Sequence, residues 1–300
     1  MRRQNYLNNK DILKEIHKSK NTYCSYTQPE YADYDMIVAN VGKINKTNVK
    51  EALKLRADRL AKLAHEAALL GDPKSKVKLD EFKLKPSSVA VTDLVFRVMT
   101  FEHIPLKEDK KALPEGETVD DEDIEEEEDY EPDPAKRAKK ERAKYVKCNF
   151  PPFFHYKVTE DLEPYVVGKS HWRGDLETGE FNKEHGQMTN KLAHMFMKLC
   201  ERYATRSNWR GYTYNDEMRS QALLQLAQIG LQFDESKSQN PFAYYTAAIT
   251  NSFTRVLHIE KKMQNIRDDI LEMNDFTPSF SRQNAEAFER EEERNRTGNF

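Results

Sequence analysis

One stretch of the chain gathers side chains suited to nucleic acid. Tyr244, Asn251, Arg255, His258 and Lys262 recur at intervals of seven, four, three and four, with Thr254 and Lys261 beside them. On a helix, that spacing places them along one face. Lys and Arg displace counterions from phosphates. Asn and Arg can read base edges with two hydrogen bonds at once. A tyrosine near the helix start can stack on an unpaired base, worth about 1–3 kcal/mol. Each component alone is weak, because a polar face with several cations is also what an ordinary solvated helix presents. His258 has no partner four residues away and is not read as a metal ligand.

The elements that must hold this face are legible around it. Asn240-Pro241 puts a cap residue before a proline at the first helical position, and the helix is expected to run to about Met263. Its core stripe is read as Tyr245, Ile249, Ser252, Val256 and Ile259, with Phe242 at its start. Upstream, Leu192, Met195, Phe196, Leu199 and Tyr203 recur at helical spacing. Between them a helix capped by Asn215 carries Met218, Ala222, Leu226, Ile229 and Phe233. Gly230 costs about 1 kcal/mol against Ala inside a helix, which suggests a close helix contact.

The rest of the chain is less regular. A helix over 8–19 is expected, with Asn8 or Asn9 as its cap and Ile12, Leu13 and Ile16 on one face. A second runs over about 48–70 and ends at Gly71 and Pro73. Ser88 to Phe101 is apolar and Val-rich, a strand or a buried helix. Residues 148–185 read as an irregular connecting segment. Glu115 to Asp133 holds 13 acidic residues and no Lys or Arg, and a basic run, Lys136 to Lys147, follows. The acidic tract reads as a disordered tether or as a DNA-mimicking, autoinhibitory segment.

Net charge is -3, but outside that tract 48 basic residues face 38 acidic ones. A basic body suits a polyanionic partner. The three cysteines, Cys24, Cys148 and Cys200, show no metal or disulfide spacing, so free thiols in a reducing compartment are expected. No apolar run approaches the roughly 20 residues of a membrane span. There is no phosphate-binding loop, no Ser/His/Asp order and no zinc spacing, so neither an enzyme nor a cofactor or metal is expected. A carboxylate-based nuclease is disfavoured, because the dense acids lie in a low-complexity run without a framework.

Residues 217–255 resemble the second conserved region of the primary bacterial sigma factors. The chain more closely resembles the late-promoter sigma factors of myovirus-type tailed phages. The resemblance rests on Asn5-Tyr-Leu-Asn-Asn-Lys-Asp-Ile-Leu13, on Gly211-Tyr-Thr213 before Glu217-Met218, and on Phe233-Asp-Glu235 followed by Asn240-Pro-Phe-Ala-Tyr244 and a basic helix end. It implies a mainly α fold: a sigma region-2-like helical domain over 186–275 with a large, partly disordered insertion. An N-terminal helix over 1–20 would pack on that domain. The insertion comprises a module over 21–104 and a low-complexity linker over 105–147. A charged tail fills 276–300.

The resemblance also implies roles. Glu217, Ser220, Gln221, Leu224 and Gln228 would bind the coiled coil on the largest subunit of the host RNA polymerase core. Phe242, Tyr244, Tyr245, Asn251, Thr254, Arg255, His258, Lys261 and Lys262 would recognise and help melt an AT-rich, -10-like element of late promoters. Ala247 and Ala248 stand where the primary family has a tryptophan pair, which shifts strand separation onto Phe242, Tyr244 and Tyr245, or onto help from other proteins. A phage sliding clamp, contacted through Phe288 or Phe300, and a late-transcription coactivator are the further implied partners. The setting implied is the cytoplasm of the infected host. The alternative is a helical adaptor or anti-sigma-like protein that binds polymerase without reading DNA.

Overall fold

The computed structural model describes residues 8–71, 77–107 and 143–297. The opening residues 5–7, Pro73, the acidic tract, most of the basic run and Phe300 lie outside them. The chain forms two compact units. One holds Ala193–Gly230 and the chain from Phe242 onward; the other holds Asn8–Leu192 and Leu231–Pro241.

The first unit is helical. Helix α3 spans Asn190–Ala204, α4 spans Asn215–Ile229, α5 spans Pro241–Met273 and α6 spans Phe280–Thr297. Met195, Phe196, Leu199 and Tyr203 are buried, as are Met218, Ala222 and Leu226 of α4 and Tyr245, Ile249, Phe253 and Val256 of α5. These are largely the stripes read from helical periodicity. Ile259 is exposed, and the fully buried Phe253 replaces Ser252 in the core stripe. Asn215 does not cap α4 through its side chain; its amide donates to the carbonyls of Ala204 and Trp209 at 3.1 and 2.8 Å, closing the loop before the helix.

Two features of this unit differ from expectation. Helix α5 continues ten residues past Met263, since nothing from 264 to 273 breaks a helix. The segment read as a tail forms α6. Its entry is fixed by Asp268, which accepts from the Ser279 N–H at 2.8 Å and the Ser279 hydroxyl at 2.7 Å. Arg282 then pairs with Asp269 at 2.8 Å and Glu272 at 3.1 Å.

The second unit corrects the mainly α reading. Of the described residues 55% are helical, but this unit is built on a five-stranded mixed sheet. Its strands are β1 (Cys24–Tyr26), β2 (Met36–Val38), β3 (Val95–Met99), β4 (Phe153–Val158) and β5 (Pro164–Ser170), in the order β1-β5-β4-β3-β2. Only the β2–β3 pair is parallel. Two short strands, β6 (Trp172–Arg173) and β7 (Glu180–Phe181), pair beside it. The segment expected to be irregular, 148–185, thus supplies four strands. The open choice over 88–101 resolves to strand β3.

Side-chain alternation explains the sheet. Phe96 and Val98 of β3 and Phe154, Tyr156 and Val158 of β4 share one face. They pack on Val49 and Ala52 of α2, which spans Lys46–Gly71 and matches its expected position. Arg56 and Arg59 of α2 reach the Asp35 carboxylate at 3.1 and 2.7 Å, and Asp35 also accepts the Val95 N–H. The first helix, α1 (Asn9–Asn21), is capped by Asn8 and buries Ile12 and Ile16 completely. It belongs to the sheet unit.

The stretch read as a linker, 105–147, begins and ends at one place. Leu106 bridges Tyr145, the Lys107 N–H donates to Lys144, and the Val146 N–H donates to Pro105. Its flanking strands β3 and β4 are hydrogen-bonded neighbours. The acidic tract therefore interrupts one antiparallel pair rather than joining two modules.

Candidate nucleic-acid and polymerase interface

Helix α5 presents most of the predicted DNA-contacting residues together. Asn251, Arg255, His258, Lys261 and Lys262 are exposed, and Tyr244 and Thr254 are half-buried. From Asn251 to Lys262 the face runs roughly 16 Å along the axis. Among the described residues none of Asn251, Arg255, His258, Lys261 and Lys262 forms an ion pair or a hydrogen bond through its side chain, so these groups are uncommitted. The Tyr244 ring lies 5.3 Å from that of Tyr245 in an edge-on arrangement, and burial pushes its phenol pKa up.

Two predicted members stand apart. Tyr245 is fully buried, donates its hydroxyl to the Gly230 carbonyl and meets the Phe196 ring at 4.7 Å. It is a core residue and offers no surface for stacking on a base. Phe242, two residues before Tyr244, points roughly 160° away from it around the axis, so the two rings do not share a face. Phe242 is 37% exposed.

The residues predicted to bind polymerase also come together. Glu217, Ser220, Gln221, Leu224 and Gln228 are all exposed on one side of α4, opposite buried Met218, Ala222 and Leu226. Leu224 is 58% exposed, an apolar side chain among polar ones. Phe288 on α6 is exposed as well.

Sequence reasoning missed a buried charged centre on the other face of the sheet. Arg97 of β3 is fully buried between the rings of Tyr34 and Phe153, at 4.0 and 3.8 Å. Its guanidinium donates to His155 Nε2 at 2.9 Å and pairs with Glu235 at 3.0 Å. Lys20 of α1 pairs with the same carboxylate at 3.2 Å and donates to the Phe233 carbonyl at 2.6 Å. His17 bridges towards Asp33 at 3.3 Å. His155 Nδ1 lies 2.7 Å from the Tyr31 carbonyl, which assigns its proton to that nitrogen.

The electrostatics follow from this enclosure. Burial, and then the Arg97 charge, hold the His155 pKa well below the ordinary imidazole value. Burial also depresses His17 and Lys20. For Glu235 burial is the largest single influence and acts upward. Lys20, Arg97 and His17 together overcome it and hold the carboxylate ionised at lower pH than usual. The only sequence signal was an arginine inside an otherwise apolar strand, Val95-Phe-Arg-Val-Met99. Beside this centre a cleft of about 840 Å³ follows β2, lined among others by His17, Asp35, Leu55 and Glu235. Among the described residues no three His, Cys, Asp or Glu side chains converge to hold a metal ion. No helix there is long and apolar enough to cross a membrane.

No protein-family model matches the chain, and no match was found among curated proteins or among solved structures.

Proposed function

We propose that the protein is a sigma-type specificity subunit of the late-promoter kind found in tailed phages, which binds host RNA polymerase core and directs it to AT-rich, -10-like promoter elements. The observation that carries this reading is the α5 surface: an amide, a guanidinium, an imidazole and two ammonium groups, uncommitted among the described residues, follow a half-buried tyrosine along one helix face. The resemblance of residues 5–13 and 211–255 to that family supports it. The exposed row Glu217, Ser220, Gln221, Leu224 and Gln228 supplies the polymerase contact in this reading. The protein performs no chemistry of its own.

Tyr244 takes the stacking role. With Tyr245 in the core and Phe242 turned away, it is the aromatic that remains on the α5 face. Arg255, Lys261 and Lys262 neutralise phosphates, and Asn251 and Thr254 face the bases. Phage sliding clamp and coactivator remain partners by resemblance, with exposed Phe288 as the described anchor residue.

The test is transcription in vitro with purified protein, sigma-free host core polymerase and a supercoiled late-promoter template. Specific initiation that requires the protein is the expected result. Binding to core without initiation would replace this reading with the adaptor one, and binding to neither would overturn it. Replacing Arg255 and Lys262 with Ala should reduce the salt-dependence slope of promoter binding by about 2, one for each phosphate no longer neutralised.

A further inference from the structure

The core stripe of α5 does not end where the helical bundle ends. Beyond buried Tyr245, Ile249, Phe253 and Val256, the helix carries Ile259, Met263, Ile266, Ile270 and Met273. Their spacing alternates four, three, four, three, which is the seam of a coiled coil. All five are exposed, Ile266 least at 42% and Met273 most at 83%. The chain's own α6 does not cover them. Its entry segment packs on the opposite side of α5, through Gln264, Asp268 and Glu272.

We propose that this seam is a self-association surface, on which the same segment of a second copy of the chain docks in antiparallel orientation. The proposal goes beyond promoter recognition and does not depend on it; Lys262 serves in both, so the second copy and DNA compete for that residue. Charge selects both the partner and the direction. Aligned antiparallel, with Met263 against Ile266 and Ile259 against Ile270 of the second copy, the seam brings Lys262 beside Asp269 of that copy. On its other side Glu260 comes beside Arg267. The twofold axis repeats both pairs, which gives four attractive contacts and no like-charge contact at these flanking positions. In the parallel alignment Lys262 would face Arg267, a repulsive pair. Asp269 already touches Arg282 of its own chain, so its contribution is shared, and Glu260 lies within the field of the Tyr214 phenol. Two such stripes facing each other cover on the order of 1,000 Å², the lower limit for a specific interface, so the association is weak and reversible.

Sedimentation equilibrium of the full chain tests this across micromolar concentrations. The weight-average mass should rise with concentration from 35.2 kDa towards twice that value. A mass that stays at one chain throughout would overturn the proposal. Ile266→Lys with Ile270→Lys should abolish the rise while the helical circular dichroism is kept, since both side chains are exposed. Persistence of the dimer in that variant would place it elsewhere and overturn the seam. Arg267→Glu should weaken association about tenfold, and Glu260→Lys in the same chain should restore it. Weakening without restoration would exclude the antiparallel register. DNA and polymerase binding are read separately, so a failed seam leaves the promoter reading intact.

Discussion

The two units of this protein treat charge in opposite ways. In the helical unit the uncommitted cations lie outside, on α5, over a core of aromatic and aliphatic side chains. In the sheet unit a guanidinium, an ammonium, a carboxylate and two imidazoles are drawn inside and paired. An exposed charge is screened and costs little, so it is available to a ligand. A buried one must be matched, and it then fixes the geometry of whatever matches it. Here it fixes the segment Leu231–Pro241, because Arg97 and Lys20 converge on Glu235 and Phe233. In the proposed reading the surface charge of α5 serves binding, while the interior charge of the sheet unit holds position.

The two units should differ most in acid. His171 and His103 are held at about 3 and about 4, chiefly by burial, and His17 and His155 are depressed by burial too. In the unfolded chain each titrates near 6.5. Below that pH the unfolded state takes up protons that the folded state refuses, so stability is complete above about 6.5 and lost as pH falls towards the folded values. For His171 and His103 the loss is roughly 1.4 kcal/mol per pH unit each, about 4 kcal/mol together by about pH 5, and His17 and His155 act in the same direction. His194 and His258 of the helical unit are exposed. Each unit has one tryptophan, Trp172 in the sheet unit and Trp209 in the helical one. Single-tryptophan variants therefore report them separately, and the Trp172 transition should come first on acidification. Simultaneous loss of both signals would contradict the contrast.

Next in size is Arg97→Met. Glu235 would keep Lys20 at 3.2 Å but lose its second cation, and His155 would lose its donor. Breaking such a buried pair costs about 3–5 kcal/mol, and the remaining lysine points to the lower end. Arg97→Lys should not rescue, because an ammonium cannot reach His155 and Glu235 together while stacking between two rings. Urea unfolding followed at Trp172 reads the effect. A change under about 1 kcal/mol would mean that the centre does not hold the unit together.

How much of this is legible in the sequence differs between the units for a physical reason. Helices α3, α4 and α5 announce themselves because each spans at least four turns with a periodic apolar side. Their exposed residues can then be placed by spacing alone. Tyr245 fits both the core stripe and the DNA face in sequence, and its burial against Phe196 with its hydroxyl on Gly230 decides for the core. The strands are two to seven residues long, and in β3 and β4 both faces are buried, so β3 reads as an apolar run with one arginine and β4 alternates only over the five residues Phe154-His-Tyr-Lys-Val158. The charged centre joins residues 17, 20, 97, 155 and 235, separations that no local pattern can encode. The extension of α5 escapes a reading that ends the helix with its core, because the apolar stripe continues past Met263 into solvent.

A smaller effect sharpens the helical side. Gly230 ends α4, where a Cβ would lie 2.6 Å from the Leu226 carbonyl oxygen and 2.6 Å from the Phe196 ring. Gly to Ala in a helix normally gains about 1 kcal/mol. Here it should instead cost about 1–3 kcal/mol by overpacking, since the carbonyl cannot yield and Phe196 is held by Tyr245. Thermal unfolding followed at Trp209 gives the sign. A stabilised Gly230→Ala protein would show that the helical core is looser than its contacts indicate.

The smallest expected change in stability belongs to the residue on which the polymerase reading most directly turns. Leu224 is an exposed apolar side chain in the middle of the α4 row. An exposed substitution away from caps and charge networks shifts stability by less than about 0.5 kcal/mol. Leu224→Asp should therefore unfold like the parent protein. If the row docks on a polymerase helix, the same substitution places a charge at the centre of a desolvated contact and should lower affinity for core by at least about tenfold, or 1.4 kcal/mol. Surface plasmon resonance against immobilised core polymerase makes the comparison. Unchanged affinity with unchanged stability would take the α4 row out of the interface while leaving the α5 face untouched, so the two helices of one unit can be judged independently.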